Sequence, residues 1–365
     1  MSAPRPRHEA HIEEAQRMLA ICNACRYCEG YCAVFPALER RLAFDEGDIH
    51  YLANLCHNCG ACLYACQYAP PHEFQLNFPR MLAEVRKETY KAYAWPGFLA
   101  SAFERNGVVV AIATALAIAL LFAVAAGASD PQAFFAAHSD GEGSFYAVMP
   151  HETMAALFGA VFLFATAALA MGVARFWLGT GESLADFAAP QPLSSAAWDA
   201  AVLRNLDASA RRTFHHLTFY GFMLCFAATA VGTIYHYVFD IRAPYPLWSL
   251  PVMLGTLGGI GLIVGPIGLM RLRHRRDPDL ADRSQSGMDA SFTVLLLLLG
   301  ATGLALLALR ETRAMGTLLA LHLGVVLAFF VTMPYGKFVH ALYRLAALAR
   351  FHLERRRPLP SIAPE

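Results

Sequence analysis

Charged residues are scarce in this 365-residue sequence, at 16% of the chain against about 25% in a typical soluble domain. Hydrophobic residues make up 57%, and the formal net charge is only +1. Because a protein that binds nucleic acid through its surface needs a strongly basic field, this composition excludes that class. The N-terminal stretch lacks the apolar core of a secretory signal, so we expect the N-terminal region to stay in the reducing compartment where it is made.

The motifs of metabolite-converting enzymes are also missing. The sequence contains neither a G-x-G-x-x-G dinucleotide fingerprint nor a C-x2-C-H site for covalent haem. The glycine-rich stretch Gly255–Gly265 lies in an apolar segment, where it favours close helix packing. No nucleophile triad and no group of substrate-binding carboxylates is recognisable. We therefore assign no catalytic residue to this chain, and expect any reaction on a metabolite to occur in a partner protein.

Apolar residues are distributed unevenly along the chain. Residues 1–95 are polar and hold eight of the nine cysteines, whereas the following part contains six apolar segments long enough to cross about 30 Å of hydrocarbon. These segments lie near 107–128, 153–174, 214–238, 247–270, 290–309 and 315–340. The sequence predicts a mainly α-helical protein with a cytoplasmic head at 1–95, a six-helix transmembrane bundle at 96–350 and a cytoplasmic tail at 351–365. Buried helices of a large soluble protein are the alternative, but their long uncharged runs argue against it.

The distribution of Lys and Arg predicts the orientation of these segments. Loops 175–212 and 271–287 and the C-terminal stretch from Lys337 to Arg357 carry fifteen of them, whereas the loops on the opposite side carry three. Because positive residues accumulate on the cytoplasmic side, both termini and the cysteine-rich head are predicted to be cytoplasmic. The basic run Arg271–Arg276 is explained by the same rule and needs no nucleic-acid partner.

The cysteines form a doubled motif. The run C-x2-C-x2-C-x3-C begins at Cys22 and is repeated 34 residues later from Cys56, each time after a segment that could form a short helix. In two-cluster ferredoxins the last cysteine of each such run ligates the cluster of the other run. The spacing therefore predicts a ferredoxin-like head with two [4Fe–4S] clusters, one held by Cys22, Cys25, Cys28 and Cys66 and the other by Cys56, Cys59, Cys62 and Cys32.

Structural zinc is the alternative for these cysteines. Zinc sites usually separate two C-x2-C pairs by a long spacer, which the overlapping pairs here do not provide. The sequence departs from the bacterial ferredoxin run because Ala33 and Gln67, rather than proline, follow the last cysteines. His57, inside the second run, could tune a cluster through a hydrogen bond, although a plain surface histidine is the commoner case. Cys225 lies in the third apolar segment and is expected to be a packing residue.

Histidines inside the apolar segments are candidate haem ligands, because ionisable groups are costly in a membrane. The third segment holds His215, His216 and His236, and the sixth holds His322 and His340. In antiparallel helices His215 or His216 would lie level with His340, and His236 level with His322. If the sixth segment is one helix, His322 and His340 are five turns apart and share a face, and the helical phase of the third segment favours His215 over His216.

Such histidine pairs predict haem b held from both sides, with one or two haems per chain. The alternative is that the histidines at the ends of the segments contact water and bind no haem, namely His215, His216 and His340. His138 and His151 are expected on the far side, in solvent or at the interface. Arg211 and Arg212 are candidates to pair with haem propionates. Tyr335 and Lys337 are candidates for a quinone site, with interfacial anchoring as the alternative for both.

These residues resemble the family of tricarballylate utilisation protein B, also called citrate utilisation protein B. The resemblance covers nearly the whole chain. It is carried by the doubled cysteine run and by the segments RTFHHLTFYGF at Arg212–Phe222 and MPYGKFVH at Met333–His340. It implies two [4Fe–4S] clusters, haem b and a cytoplasmic FAD-dependent dehydrogenase as partner, which oxidises tricarballylate. The histidine arrangement is also similar to that of nitrate-reductase gamma subunits and heterodisulfide-reductase membrane subunits.

The resemblance implies a membrane electron-transfer protein of the bacterial inner membrane. Electrons would pass from the reduced flavin of the partner, through the clusters and haem b, to quinone in the bilayer. A cobalamin-pathway partner and a heterodisulfide-type partner are alternatives within this class. Outside it, a membrane redox sensor would need an output element, which is not visible after Arg350, and a transporter with a zinc-bound head would need polar residues in mid-segment.

Overall fold

The structure is a computed structural model that describes residues 7–128, 134–137, 143–187, 189–206, 209–280 and 282–358. Every regular element in these ranges is helical, as predicted. His138 and the last residues of the predicted tail lie outside the described residues. The helices are α1 (Arg7–Cys25), α2 (Val34–Leu38), α3 (Glu46–Leu55), α4 (Ala61–Tyr64), α5 (Phe78–Tyr93), α6 (Asn106–Ala128), α7 (Ser144–Val148), α8 (His151–Gly179), α9 (Leu184–Phe187), α10 (Pro190–Ala201), α11 (Ala210–Phe239), α12 (Leu250–His274), α13 (Ser286–Leu309), α14 (Met315–Thr332) and α15 (Val339–Glu354).

Helices α1 to α5 form the head. Two of them begin with side-chain caps, which satisfy amide groups left free in the first turn of a helix. The Asp45 carboxylate accepts a hydrogen bond from the amide of Asp48 at 2.7 Å, and Asn77 accepts one from the amide of Arg80 at 3.2 Å. The first cysteine run begins in the last turn of α1 and the second directly follows α3, so these helices fix where each run starts. Leu19, Leu38, Ile49, Leu52, Leu55 and Leu82 are fully buried between them.

Six of the remaining helices are long and apolar enough to cross a membrane, as expected of a membrane protein. Their bounds are Asn106–Gly127, His151–Gly179, Ala210–Phe239, Leu250–His274, Arg283–Leu309 and Met315–Tyr335. The first five agree with the predicted segments to within a few residues at most ends. The second starts at His151, so this histidine belongs to the bundle and not to a loop.

The sixth segment differs from the prediction of one helix over 315–340. Helix α14 ends at Thr332, a short 3₁₀ turn follows at Met333–Tyr335, and α15 begins at Val339. Pro334 cannot donate a helical hydrogen bond, and Gly336 adopts an extended conformation, so the helix stops here. His340 therefore lies on a different helix from His322, and the predicted five-turn spacing along one helix is wrong.

The head sits against one end of the long helices. Arg175 near the end of α8 donates to the carbonyl of Ala94 at 2.9 Å, and the Tyr335 hydroxyl donates to the carbonyl of Trp95 at 2.9 Å. On the bundle side of this contact, the rings of Phe176 and Tyr343 stack with centroids 5.0 Å apart. These contacts hold the head in a fixed position relative to the bundle.

Helices α11 and α12 pack along a seam of glycines. A Cβ added at Gly221 would lie 2.9 Å from the carbonyl oxygen of Gly258, and one added at Gly261 would lie 3.0 Å from the Cα of Gly221. Only residues without a side chain allow the two backbones to come this close. The glycine-rich fourth segment thus packs closely against its neighbour, as predicted.

Helix α15 returns to the head and joins it through a buried charge network. Arg350 lies 2.9 Å from Asp48 of α3 and 3.0 Å from Glu354, and Arg41 lies 2.7 Å from Asp48 and forms an ion pair with Glu354. The Arg350 guanidinium stands 4.4 Å over the ring of Tyr51. Helix α15, which follows the six long helices in the sequence, therefore completes the interior of the N-terminal head.

Candidate cluster and haem sites

The first group of cysteines surrounds a cavity at the outer end of the head. Cys22 and Cys25 end α1, Cys28 follows in the loop, and Cys66 reaches the same cavity from the second run. The cavity has a volume of about 230 Å³. Burial and the neighbouring Cys66, Cys28 and Cys25 raise the pKa of Cys22 to about 12. The structure therefore places the four cysteines predicted for the first cluster around one cavity, which Cys62 of the second run also lines.

The second group lies beside the first and closer to the bundle. Burial raises the pKa of Cys32 to about 12, and the neighbouring Cys56 and Cys59 contribute to this increase. The pKa of Cys62 is raised by burial and, to a smaller extent, by the neighbouring Cys56, Cys32 and Cys59. Cys28 of the first group makes the smallest contribution. The amide of Asn58 donates to the Cys56 sulfur at 3.2 Å. Cys32 of the first run thus lies with three cysteines of the second run.

The donor set fits clusters better than single ions. Within the described ranges, no three His, Cys, Asp or Glu side chains converge closely enough to hold one metal ion, as a zinc site requires. A [4Fe–4S] cube holds its four thiolates at separate corners, farther apart than the ligands of one ion. Crowded, buried thiols with raised pKa values are costly to ionise alone, so bound iron would offset the charge of the thiolates.

His57 is packed between the head and the bundle, where the commoner expectation was a surface position. Its Nε2 lies 3.0 Å from the carbonyl oxygen of Arg204 and also contacts the guanidinium of Arg344. Burial, with Arg344 as the nearest cation, lowers the pKa of His57 well below its usual range. His57 is therefore neutral at pH 7 and links the second cysteine loop to α15.

His215 and His340 lie together just below this loop. Their ring centroids are 6.3 Å apart and their planes are inclined by 76°. Two imidazoles bound end-on to opposite faces of one iron have centroids about 6 Å apart, given metal–nitrogen bonds of about 2 Å. The separation of this pair therefore fits a haem iron held from both sides.

The hydrogen bonds of this pair also suit a metal ligand. Nδ1–H of His340 donates to the carbonyl of Lys337 at 2.5 Å, which leaves Nε2 as the free lone pair. Burial, followed by the nearby charge of Lys337, lowers the pKa of His340 to about 3, so the ring is neutral. Nδ1 of His215 is buried without a hydrogen-bond partner among the described residues. Nε2 of His216 is also buried without a hydrogen-bond partner among the described residues, but its ring lies near Tyr220, with ring centroids 5.7 Å apart.

The other predicted pair, His236 with His322, is not in ring contact among the described residues. His236 stacks on His151 with centroids 3.6 Å apart and planes inclined by 19°, and the Tyr146 hydroxyl lies 3.4 Å from Nδ1 of His236. His322 instead lies 2.9 Å from the Thr302 hydroxyl. A stack at 3.6 Å leaves no room for a porphyrin between the rings, so this arrangement favours one histidine pair over two.

The other candidate residues have definite partners. Arg211 donates to the carbonyls of His57 and Asn58 at 3.1 Å each, so it contacts the cysteine loop. Arg212 donates to the carbonyl of Val202 at 2.8 Å. Lys337 forms an ion pair with Asp289 at 2.9 Å. The Tyr335 hydroxyl is occupied by Trp95, as described above.

Sequence reasoning missed several residues at this interface. Asp289 gave no signal because a single acidic residue at the start of a segment is common. Arg86, Arg276 and Arg344 give no separate signal because arginine is in general excess on the predicted cytoplasmic side. Only their convergence on one loop, which depends on the packing of distant elements, distinguishes them.

The chain matches two family models that together cover most of its length. The model described as citrate utilization protein B matches residues 104–361, and the model described as citrate utilization protein B Fer4-like domain matches residues 15–92. The curated "Citrate utilization protein B" of Escherichia coli is 50% identical over 360 residues, which cover 94% of this chain and 93% of that protein. No solved structure matches the chain. A Fer4-like domain with its cysteine clusters indicates an iron–sulfur, redox-related protein.

Proposed function

Since the chain belongs to the citrate utilization protein B family, we propose that it is a membrane electron-transfer protein that reoxidises a reduced FAD-dependent dehydrogenase. In this proposal the two cysteine groups hold two [4Fe–4S] clusters, and His215 and His340 hold one haem b. Quinone in the bilayer is the electron acceptor. The partner is a tricarballylate dehydrogenase, with a cobalamin-pathway or heterodisulfide-type partner as the alternatives.

One observation carries the proposal: the second cysteine loop rests directly on the helices that present the histidine pair. Arg211 bonds to this loop from α11, one helical turn before His215. Arg344 bonds to the carbonyl of Leu55 at 2.6 Å from α15, one turn after His340. The first cysteine group, the second group and the histidine pair therefore follow one another from the outer surface of the head toward the bundle.

The residues around these sites bind and orient the groups. When bound, the clusters and haem b supply one-electron transfer, which a two-electron flavin and a two-electron quinone require between them. The carbonyl of Lys337 fixes the tautomer of His340 so that Nε2 faces away from its own backbone. With a ligand on each face, the iron would have no open position, which suits electron transfer and not oxygen binding.

The exposed surface near the first cysteine group supports entry of electrons from a cytoplasmic partner. Tyr27 and Tyr64 beside the cysteine runs are 68% and 67% exposed. At the other end of the path, the Lys337–Asp289 ion pair supports proton delivery to a quinone, because Lys337 lies within three residues of His340. A partly buried acid–base pair can hold the protons that quinone reduction consumes.

The proposed location is the inner membrane of a bacterium, with six crossings and both termini in the cytoplasm. The excess of arginine at the head side of the long helices supports this orientation. The contacts of α8 and of the 3₁₀ turn after α14 with the head support the same side for the ends of these two helices.

The test is an anaerobic metal and haem inventory of the full chain purified in detergent. We expect about eight non-haem irons and one haem b per chain, with Cys66→Ser losing about four irons. Cys225→Ser is the matched control, because Cys225 packs within α11 against Gly258 and should keep the full inventory. Zinc in the head without haem would refute the proposal.

The partner is tested with the same preparation. Reduced tricarballylate dehydrogenase should reduce a soluble quinone analogue only when the full chain is present. Quinone reduction by the dehydrogenase alone would remove the need for this protein. Turnover with a cobalamin-pathway flavoprotein but not with the tricarballylate enzyme would identify the former as the partner. The proposed electron path through this chain would then still stand.

A further inference from the structure

Four arginines from four separate elements converge on the second cysteine loop. They are Arg86 of α5, Arg211 of α11, Arg276 just after α12 and Arg344 of α15. Arg86 donates to the carbonyls of Ala53 and Cys56 at 2.8 and 2.7 Å, and Arg276 donates to that of Asn58 at 2.7 Å. The bonds of Arg211 and Arg344 to the same loop are described above.

These guanidinium groups are not neutralised by protein carboxylates. In the part of the chain that the structure describes, none of the four forms an ion pair, and the carboxylate of Asp289 is taken by Lys337. All four are partly buried. Burial lowers the pKa of Arg276 and of Arg344 to about 10 each. Partly buried cations that bond only to neutral groups, here carbonyls and the His57 ring, require a negative group nearby to offset their desolvation.

The surroundings of the first cysteine group are different. Arg26, beside that group, is exposed and bonds to the carbonyl of Asn23 at 3.0 Å. Arg17 is exposed and paired with the carboxylate of Glu14. The acidic Glu29 is also close, and its charge contributes to raising the pKa of Glu39 after burial. Among the described residues, partly buried arginines without a carboxylate ion pair are therefore found beside the second cysteine group, whereas Arg26 beside the first group is exposed to solvent.

We propose that Arg86, Arg211, Arg276 and Arg344 hold the reduction potential of the second iron–sulfur centre above that of the first, so that electrons pass in one direction toward the bundle. This inference rests on the proposed cluster ligation. A four-thiolate cluster becomes more negative when it accepts an electron, so nearby positive charge favours the reduced state. The four residues are positioning residues, because they act on the potential through the loop and its field.

The test is a redox titration of the Arg276→Gln variant of the full chain in detergent, monitored by electron paramagnetic resonance. We expect the equilibrium for an electron between the two centres to shift about tenfold toward the first centre, which corresponds to about 59 mV. Only the signal assigned to the second centre, identified by its loss in Cys59→Ser, should move. Arg276→Lys, which keeps the charge, should restore most of the potential.

Arg273→Gln is the matched control, because Arg273 lies one turn earlier on α12 and bonds to the carbonyl of Ser286 at 2.8 Å, away from the loop. Arg344→Lys paired with Arg344→Gln repeats the comparison from a second element. Equal shifts of both centres, no shift, or the same shift in the Lys and Gln variants would overturn the inference. Absence of two iron–sulfur signals in the unmodified chain would refute the proposed function, and the inference with it.

Discussion

Replacing Glu354 by Gln should loosen the head from α15. Glu354 forms ion pairs with Arg41 and Arg350, and its carboxylate accepts a hydrogen bond from the Tyr51 hydroxyl at 3.2 Å. Gln keeps the size and shape of the side chain but removes its charge. The variant would leave two arginines, each with a side chain no more than 9% exposed, with Asp48 as their shared remaining partner and Glu182, 3.5 Å from Arg350, as the other.

The magnitude follows from the burial of these charges. Removing one partner of a buried ion pair destabilises the folded state by about 3–5 kcal/mol, because the remaining charge stays desolvated. Every 1.4 kcal/mol changes an equilibrium about tenfold, so opening of the α3–α15 contact should become roughly a hundred to a few thousand times more frequent. An exposed pair is a useful contrast, since it contributes at most about 1 kcal/mol.

Amide hydrogen exchange of the full chain in detergent measures this opening. The amides of α3 and α15 should exchange faster in Glu354→Gln, while those of α12 should keep their protection. Glu14→Gln is the control, because the Arg17–Glu14 pair is about 40% exposed on both sides. If the two variants exchange alike, the charge network does not fix the head and the reasoning fails.

Three further variants test separate parts of the structure. His340→Ala should lose the haem b absorption spectrum while His216→Ala keeps it, and loss in both would point to unfolding. Gly258→Leu should lower the thermal unfolding temperature by several degrees, because an added Cβ would meet the backbone nitrogen of Cys225 at 2.8 Å, whereas Gly255→Ala should be neutral. Burial lowers the pKa of His50 to about 4. Between about pH 6.5 and 4, this histidine is therefore protonated in the unfolded chain but neutral in the folded one. Head stability should therefore fall as the pH falls through this window, and His50→Gln should flatten that slope in a pH series of unfolding curves.

The cysteine groups could be predicted from the sequence because their spacing is a local feature of the chain. The two runs repeat at a fixed interval, and the crossed pairing of Cys32 and Cys66 follows from ferredoxin geometry. The six apolar segments were equally clear, because length and composition decide whether a helix can cross a bilayer.

The histidines show where such reasoning stops. His215 was matched with His340 by assuming one continuous helix through the sixth segment. The structure brings the two rings together although Pro334 ends that helix, since the following turn redirects the chain. His151 was placed in a loop two residues before the second segment, so its stacking with His236 could not be foreseen. Which histidines meet depends on tertiary packing, which helical periodicity alone does not determine.

The return of α15 to the head sets an order of assembly. A ribosome makes Arg41, Asp48 and Tyr51 early, but their partners Arg350 and Glu354 appear only after all six long helices have been made. The head therefore lacks these two partners until α15 has been made. A chain truncated before α15 would lack Arg350 and Glu354, so Arg41 and Asp48 would keep only each other as ionic partners from this network.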